Sequence, residues 1–221
     1  MNRVGWPARD AIAFPIVVSG PSGVGKTTLC HGLMERDARL AFSISATTRK
    51  ARATETDGKD YFFISRDRFD EMRAAQEFAE WAEVHEELYG TPRKYLDERM
   101  AEGLSVLLDI DVQGGVQVME RYPSAVSIFV VPPSFRVLEE RLRGRKSESE
   151  EALMLRMQNA MGEMEYIARY TYVVPNDTVE AAVARMAAVV GAERLRRERL
   201  LAGTSWRELV GLEGKLEGKG V

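Results

Sequence analysis

The sequence predicts an α/β domain built on a parallel sheet with helices packed against both of its faces. Three observations carry this expectation. Residues 16–19, Ile-Val-Val-Ser, are β-branched and apolar without alternation, the pattern of a strand buried on both sides. Similar runs recur at 106–111 and 126–131. Helical patterns separate these runs, so strand and helix alternate along the chain.

The elements follow in order. Residues 1–13 form an N-terminal extension in which Gly5, Trp6 and Pro7 break any periodicity. The first strand ends in a glycine-rich turn, after which a helical pattern begins. A second strand is expected at 41–46. From about 47 to 95 aromatic and charged residues interleave, and Asp57-Gly58 marks a turn before Tyr61-Phe62-Phe63-Ile64; this stretch is read as an inserted, partly antiparallel subdomain. A helix over about 92–102 returns the chain to the core. The strand at 106–111 carries Asp109 and Asp111 at its C-terminal end, and the strand at 126–131 is stopped by Pro132-Pro133. A helix from Ser134 to Gly144, a polar segment over 145–151, a long helix to about Arg169, a last strand at 172–174 and a last helix over 179–200 complete the domain. Five glycines punctuate the tail after residue 202.

At 221 residues, 45% hydrophobic and 29% charged, the chain can bury one substantial core. A net charge of −3 supplies no basic field for a nucleic acid. Any anionic substrate must be held by local clusters of Arg and Lys. A single cysteine, Cys30, suits a reducing compartment. No apolar run is long enough to cross a bilayer, and residues 11–18 are interrupted by Pro15. The expected location is the cytoplasm, with no membrane partner, and a homo-oligomer is compatible with everything above. His31 and His85 have no ligand cluster around them and are read as non-functional.

The turn after the first strand is Gly20-Pro21-Ser22-Gly23-Val24-Gly25-Lys26-Thr27-Thr28, which meets the pattern G-x-x-x-x-G-K-[ST]. Such a loop turns its amide N–H groups toward phosphate oxygens, adds the positive end of the next helix, and brings Lys26 to the β/γ oxygens. The Thr27 hydroxyl is placed to reach Mg²⁺. The loop alone does not choose between a kinase, a GTPase and an ATPase motor.

Further blocks make the choice. Phe42-Ser43-Ile44-Ser45-Ala46-Thr47-Thr48-Arg49, Gly58-Lys59-Asp60-Tyr61-Phe62-Phe63, Glu77-Phe78-Ala79-Glu80-Trp81, Tyr89-Gly90-Thr91, Leu108-Asp109-Ile110-Asp111-Val112-Gln113-Gly114, Pro132-Pro133-Ser134 and Arg141-Leu142-Arg143-Gly144-Arg145 follow one another. In this order and spacing the chain resembles guanylate kinases from about Phe14 to Leu200. The resemblance implies a P-loop nucleoside monophosphate kinase: a core over 14–44, 96–143 and 157–200, a GMP-binding insertion over 45–95 and a lid over 144–156, with 201–221 as a tail. It implies transfer of the γ-phosphoryl of ATP to GMP, and to dGMP, in purine nucleotide metabolism.

By the same resemblance Ser45, Glu80 and Thr91 read guanine, whose adjacent N1–H and N2 donors suit one carboxylate. Arg49, Arg52, Tyr61 and Tyr89 take the GMP phosphate. Asp109 is assigned to substrate and Asp111, with Thr27, to Mg²⁺, although the sequence leaves the division between the two aspartates open. Lys26, Arg49 and the lid arginines Arg141, Arg145 and Arg156 serve the transferring phosphoryl. The acceptor oxygen is already anionic, so no general base is required. The sequence departs from the family at Ala51 and Thr54, where proline and glycine are usual, at residues 85–88, at Lys146 and at Thr171; these bear on loop conformation. Two other readings remain: a P-loop kinase for another small molecule, which has no reason to carry the guanine set, and a non-catalytic interaction module, which typically loses the intact Gly25-Lys26-Thr27.

Overall fold

The structure is a computed structural model and describes residues 12–84, 86–143 and 150–202. Along the chain run β1 (Pro15–Ser19), α1 (Lys26–Met34), β2 (Leu40–Phe42), β3 (Ala46–Thr47), β4 (Phe62–Phe63), α2 (Arg66–Ala74), β5 (Phe78–Val84) and β6 (Glu87–Pro92). Then come α3 (Arg93–Ala101), β7 (Ser105–Asp109), α4 (Val112–Arg121), β8 (Val126–Val131), α5 (Phe135–Arg143) and α6 (Glu150–Met164). A 3₁₀ turn (Glu165–Arg169), β9 (Tyr172–Pro175), α7 (Val179–Arg194) and α8 (Arg197–Leu200) complete it.

Among the described residues the strands form two sheets. The larger has the order β2-β7-β1-β8-β9, with every neighbouring pair parallel. Side chains of its strands alternate between two cores. Ile16, Val18, Leu107, Ile128 and Val130 pack with α1 and α7, whereas Val17, Val106, Leu108 and Phe129 pack with α3 and α4. Burial on both faces is why these strands read as unbroken apolar runs. Cys30 lies in the first core, where burial pushes its thiol pKa up and leaves it unreactive.

The smaller sheet has the order β4-β3-β6-β5, with β3–β4 parallel and the other pairs antiparallel. Its core is slight: Ala46, Phe69, Phe78 and Leu88, with Phe69 and Phe78 stacked at 4.4 Å. β5 forms its long edge, and α4 lies against that edge. The Gln117 amide donates to the Trp81 carbonyl (3.0 Å) and accepts the Trp81 N–H (3.2 Å), while Arg121 donates to the Phe78 carbonyl.

The expected strand at 41–46 divides between the two sheets. Ser43 N–H still bonds the Leu107 carbonyl of the core (2.8 Å), but the Ser45 carbonyl already accepts Phe62 N–H of the small sheet (2.9 Å). One apolar run therefore serves two sheets, with the crossing at 43–45. The strand expected over 106–111 stops at Asp109, because Asp111 caps α4 by accepting Gly114 N–H at 2.7 Å. The last helix breaks after Arg194, and Arg199 folds back onto Glu193 (3.1 Å), the Ser124 carbonyl (2.9 Å) and the Phe14 ring (3.8 Å).

Candidate active site

Residues 20–28 wrap from the end of β1 into α1. Gly20 has φ +146°, and a Cβ there would stand 2.2 Å from the Val130 carbonyl oxygen. At Gly25, φ +99°, a Cβ would stand 2.8 Å from Asn176 Nδ2. Both positions demand glycine, sterically as well as conformationally. Lys26 Nζ folds back to donate to the Gly20 carbonyl at 2.8 Å. Ser22, Thr27 and Thr28 are exposed, while Pro21 and Val24 anchor the loop in the interior. The Thr27 hydroxyl donates to Asp109 Oδ2.

Two side chains brace this loop that sequence reasoning did not connect with it in that way. Arg141 Nη1 donates to the Val24 carbonyl (3.2 Å) and Nη2 to the Asn176 carbonyl (3.1 Å), and Asn176 Nδ2 also reaches Val24 O at 2.7 Å. Arg141, expected in the lid, thus supports the loop from behind: α5 is pinned by buried Leu138 and Leu142, which fixes where the guanidinium points. Glu163 of α6 accepts the Ser22 N–H at 3.0 Å from in front. Neither contact has a local signal, since the partners lie 117 and 141 residues apart.

A cleft of about 660 Å³ opens in front of the loop, lined by Lys26, Thr27 and Asp109 on one side and by Tyr61 and Val84 on the other. A larger hollow of about 920 Å³ lies between α2 and α3, but Arg93 and Lys94 there are offset by Asp97 and Glu98, and none of the site residues expected from the sequence lines it. The first cleft therefore carries the chemistry.

Beyond the loop, Glu80 of β5 and Thr91 of β6 are cross-strand partners. Thr91 donates its hydroxyl to Glu80 Oε1 at 2.6 Å, and Ser45 Oγ lies 3.4 Å from Thr91 Oγ1. Glu80 is only 6% exposed. Burial pushes its pKa up to about 7; the Asp111 charge adds to the rise and the Thr91 hydroxyl opposes it. A Cβ on Gly114 would meet Glu80 Oε2 at 2.8 Å and Asp111 Oδ1 at 3.5 Å, so Asp111 and Glu80 converge at the start of α4. Thr27 meets Asp109, the last residue of β7, while Asp111, which the sequence paired with Thr27, is turned toward the helix cap and Glu80.

The loop after β3 supplies the basic residues. Arg49 lies over the Tyr61 ring at 5.5 Å, and the Tyr61 and Tyr89 rings meet edge-on at 6.0 Å. Its guanidinium forms a two-pronged pair with Glu55, Nη1 to Oε2 at 2.9 Å and Nη2 to Oε1 at 2.8 Å. Arg52 is exposed, and its N–H also reaches Glu55, at 2.8 Å. Glu55, missed in the sequence, was signalled only by being the first carboxylate after Arg49, six residues on. Arg156 sits on α6, half-buried; Arg145 and His85 lie outside the described residues. His31 stacks on Phe42 at 5.2 Å. Among the described residues no group of three or more His, Cys, Asp or Glu could hold a metal.

The guanylate kinase family model matches residues 13–193. The chain belongs to the guanylate kinase family. It is 46% identical over 184 residues to the guanylate kinase of Caldanaerobacter subterraneus subsp. tengcongensis, covering 83% of this chain and 89% of that one. Against the guanylate kinase of Halalkalibacterium halodurans the identity is 46% over 198 residues, 90% and 96% of the two chains. The crystal structure of guanylate kinase from Anaplasma phagocytophilum superimposes with a TM-score of 0.72 at 33% identity, covering 92% of this chain and 96% of that one. The family is that of a nucleotide-binding kinase, with which the phosphate loop agrees. No described helix is long and apolar enough to cross a membrane.

Proposed function

We propose that this kinase transfers the γ-phosphoryl of ATP, held at residues 20–28, to GMP or dGMP held against the small sheet, giving ADP and GDP. The observation that carries the reading is one cleft with the phosphate loop on one wall and Tyr61 and Val84 of the insertion on the other, in the same insertion where Ser45, Thr91 and Glu80 are brought together. The GMP phosphate falls to Arg49, Arg52, Tyr61 and Tyr89, two cations and two hydroxyls for a dianion. The base falls to Glu80, whose ionised carboxylate accepts both N1–H and the N2 amine; Thr91 holds one of its oxygens in position. Asp111, beside Glu80, adds negative charge on the amine side of the base.

Chemistry then requires alignment and charge neutralisation more than proton transfer. Lys26 exchanges the Gly20 carbonyl for the β/γ oxygens. Thr27 and Asp109, a hydroxyl and a carboxylate in contact, fit a small hard cation that completes its shell with phosphate oxygens and water. Bound there, Mg²⁺ would supply positive charge to the transferring group. Arg156 and Arg145 belong to a lid over 144–156 whose closure excludes water, so that GMP and not water is phosphorylated. A cytoplasmic setting agrees with the single buried thiol. The deciding experiment is ADP release measured with a panel of nucleoside monophosphates: turnover with GMP and dGMP well above AMP, CMP and UMP is expected, and equal turnover with AMP would overturn the assignment.

A further inference from the structure

We propose that Glu55 is a positioning residue for the acceptor phosphate, holding the tip of the Arg49 guanidinium so that its long edge is presented to the anion. The proposal rests on the reading of Arg49 as a ligand of the GMP phosphate. A guanidinium has five N–H groups in one plane, arranged as two forks. Glu55 occupies the fork at the tip with both of its oxygens, at 2.8 and 2.9 Å, and the Lys50 carbonyl takes the other Nη1 hydrogen at 2.8 Å. What these bonds leave is Nε–H and the outer Nη2–H, which lie parallel along one edge and match two oxygens of a phosphate. The rings of Tyr61 and Phe63 lie 5.5 and 5.8 Å from the same guanidinium carbon, and the Tyr89 hydroxyl is close enough to strengthen its hold on its proton. Arg49 can therefore keep Glu55 and grip a phosphate at the same time.

The same carboxylate orders the loop. Glu55 Oε2 accepts the Arg52 N–H at 2.8 Å, and Glu55 N–H returns to the Arg52 carbonyl at 3.0 Å. One side chain thus ties the guanidinium of the first basic residue to the backbone of the second. This tie spans Ala51 and Thr54, which have neither the fixed φ of proline nor the special geometry of glycine. The Arg49 hydrogen bonds, with the Arg52 N–H, hold the Glu55 carboxyl down at about 2, so it is ionised wherever the enzyme works. The Arg49 side chain would otherwise lose much rotamer freedom only when substrate arrives.

The alternative is that Glu55 occupies the place of the phosphate and must be expelled by it. The two differ in sign. Calorimetry of guanosine and GMP binding to the full chain gives the affinity gained from the phosphate as the ratio of the two Kd values. Glu55→Ala is expected to lower this ratio about tenfold or more, with guanosine affinity unchanged. Glu55→Gln, with one acceptor, should fall between, and Glu55→Asp, which keeps both oxygens, should recover part of the loss. In turnover, KM for GMP should rise several-fold more than KM for ATP. A ratio that stays constant or increases in Glu55→Ala and Glu55→Gln overturns the proposal. Failure of the underlying reading looks different: the wild-type protein itself would then gain nothing from the phosphate, or Arg49→Ala would leave the ratio intact.

Discussion

The donor and acceptor halves of the cleft handle anions by different means. In the proposed function the donor side binds with nine consecutive residues, largely through backbone, and the large sheet dictates their path: Gly20 is pressed against Val130, and Arg141 and Asn176 fix Val24 from behind. The proposed acceptor ligands are side chains gathered from residues 45 to 91, on strands as short as two residues and over a core of four buried side chains. Backbone amides recognise a phosphate on any nucleotide. Side chains paired across a sheet recognise one base. Generality and selectivity are thus divided between a rigid half and a half whose few buried contacts allow local opening.

The largest expected effect breaks selectivity and leaves the donor half alone. Glu80→Ala should lower the GMP/AMP ratio of kcat/KM by several orders of magnitude, since a site built around substrate N–H groups rejects an analogue lacking them by roughly 10⁴–10⁵. ATP binding should be nearly unchanged. Glu80→Gln keeps the shape but opposes a donor to one guanine N–H, and should give much of the same loss. A constant ratio across wild type and both variants would move base recognition to other residues.

Next in size, Lys26→Ala should reduce kcat by on the order of 10²–10³, because a preorganised charge on the transferring group disappears. Here the GMP/AMP ratio should hold, the mirror image of the Glu80 result. Thr91→Val isolates one hydrogen bond between the halves of the base site. It removes the 2.6 Å bond to Glu80 and should raise KM for GMP about tenfold, the scale of a hydrogen bond to a charged group, with little effect on KM for ATP.

The smallest effect is on stability. The pKa of Glu80 is raised from 4.5 to about 7 in the empty protein, so the folded state retains a proton that the unfolded state has released. Its contribution is fully present below about pH 4.5 and is lost as pH rises through about 7. Relative to Glu80→Gln, the wild-type Tm should therefore fall by on the order of a few degrees between pH 5 and pH 8. GMP, which needs the ionised carboxylate, should bind more tightly over the same interval and release a proton below pH 7. A Tm difference independent of pH would mean that Glu80 is ionised throughout.

The two halves also differed in how far the sequence disclosed them. β1, β7 and β8 were legible because strands buried on both faces cannot hide their composition. The phosphate loop was legible because its ligands are contiguous. α4 was given no bounds: Gly114 and Gly115 lie inside it and weaken its helical signal. Yet a Cβ at Gly115 would stand 2.2 Å from the Tyr170 hydroxyl, and one at Gly114 would press on Glu80. Packing required those glycines against their propensity. α2 was missed because Phe69 alone among its residues is buried. The guanine set was recognisable through the family's blocks, but not the bond between Glu80 and Thr91, which depends on the register of β5 against β6. Glu55 and Glu163 looked like solvated charges, and Arg141 looked like a lid residue, because only the folded chain brings them to their partners.

The contact of Gln117 with β5 has a consequence for how these molecules share a crowded solution. An open strand edge invites a strand from a second molecule, and β5 is the longest edge strand of the small sheet. Gln117 meets both the N–H and the carbonyl of Trp81, as a neighbouring strand would, and Arg121 takes the carbonyl of Phe78. The core sheet ends on one side in β2, three residues long, and on the other in β9, which closes on Pro175. Every long stretch of edge is thus interrupted or already occupied by the chain's own side chains. Between Phe78 and Trp81 the small sheet therefore has little bare backbone to offer another copy, which guards a part of the molecule with few buried side chains against edge-to-edge pairing.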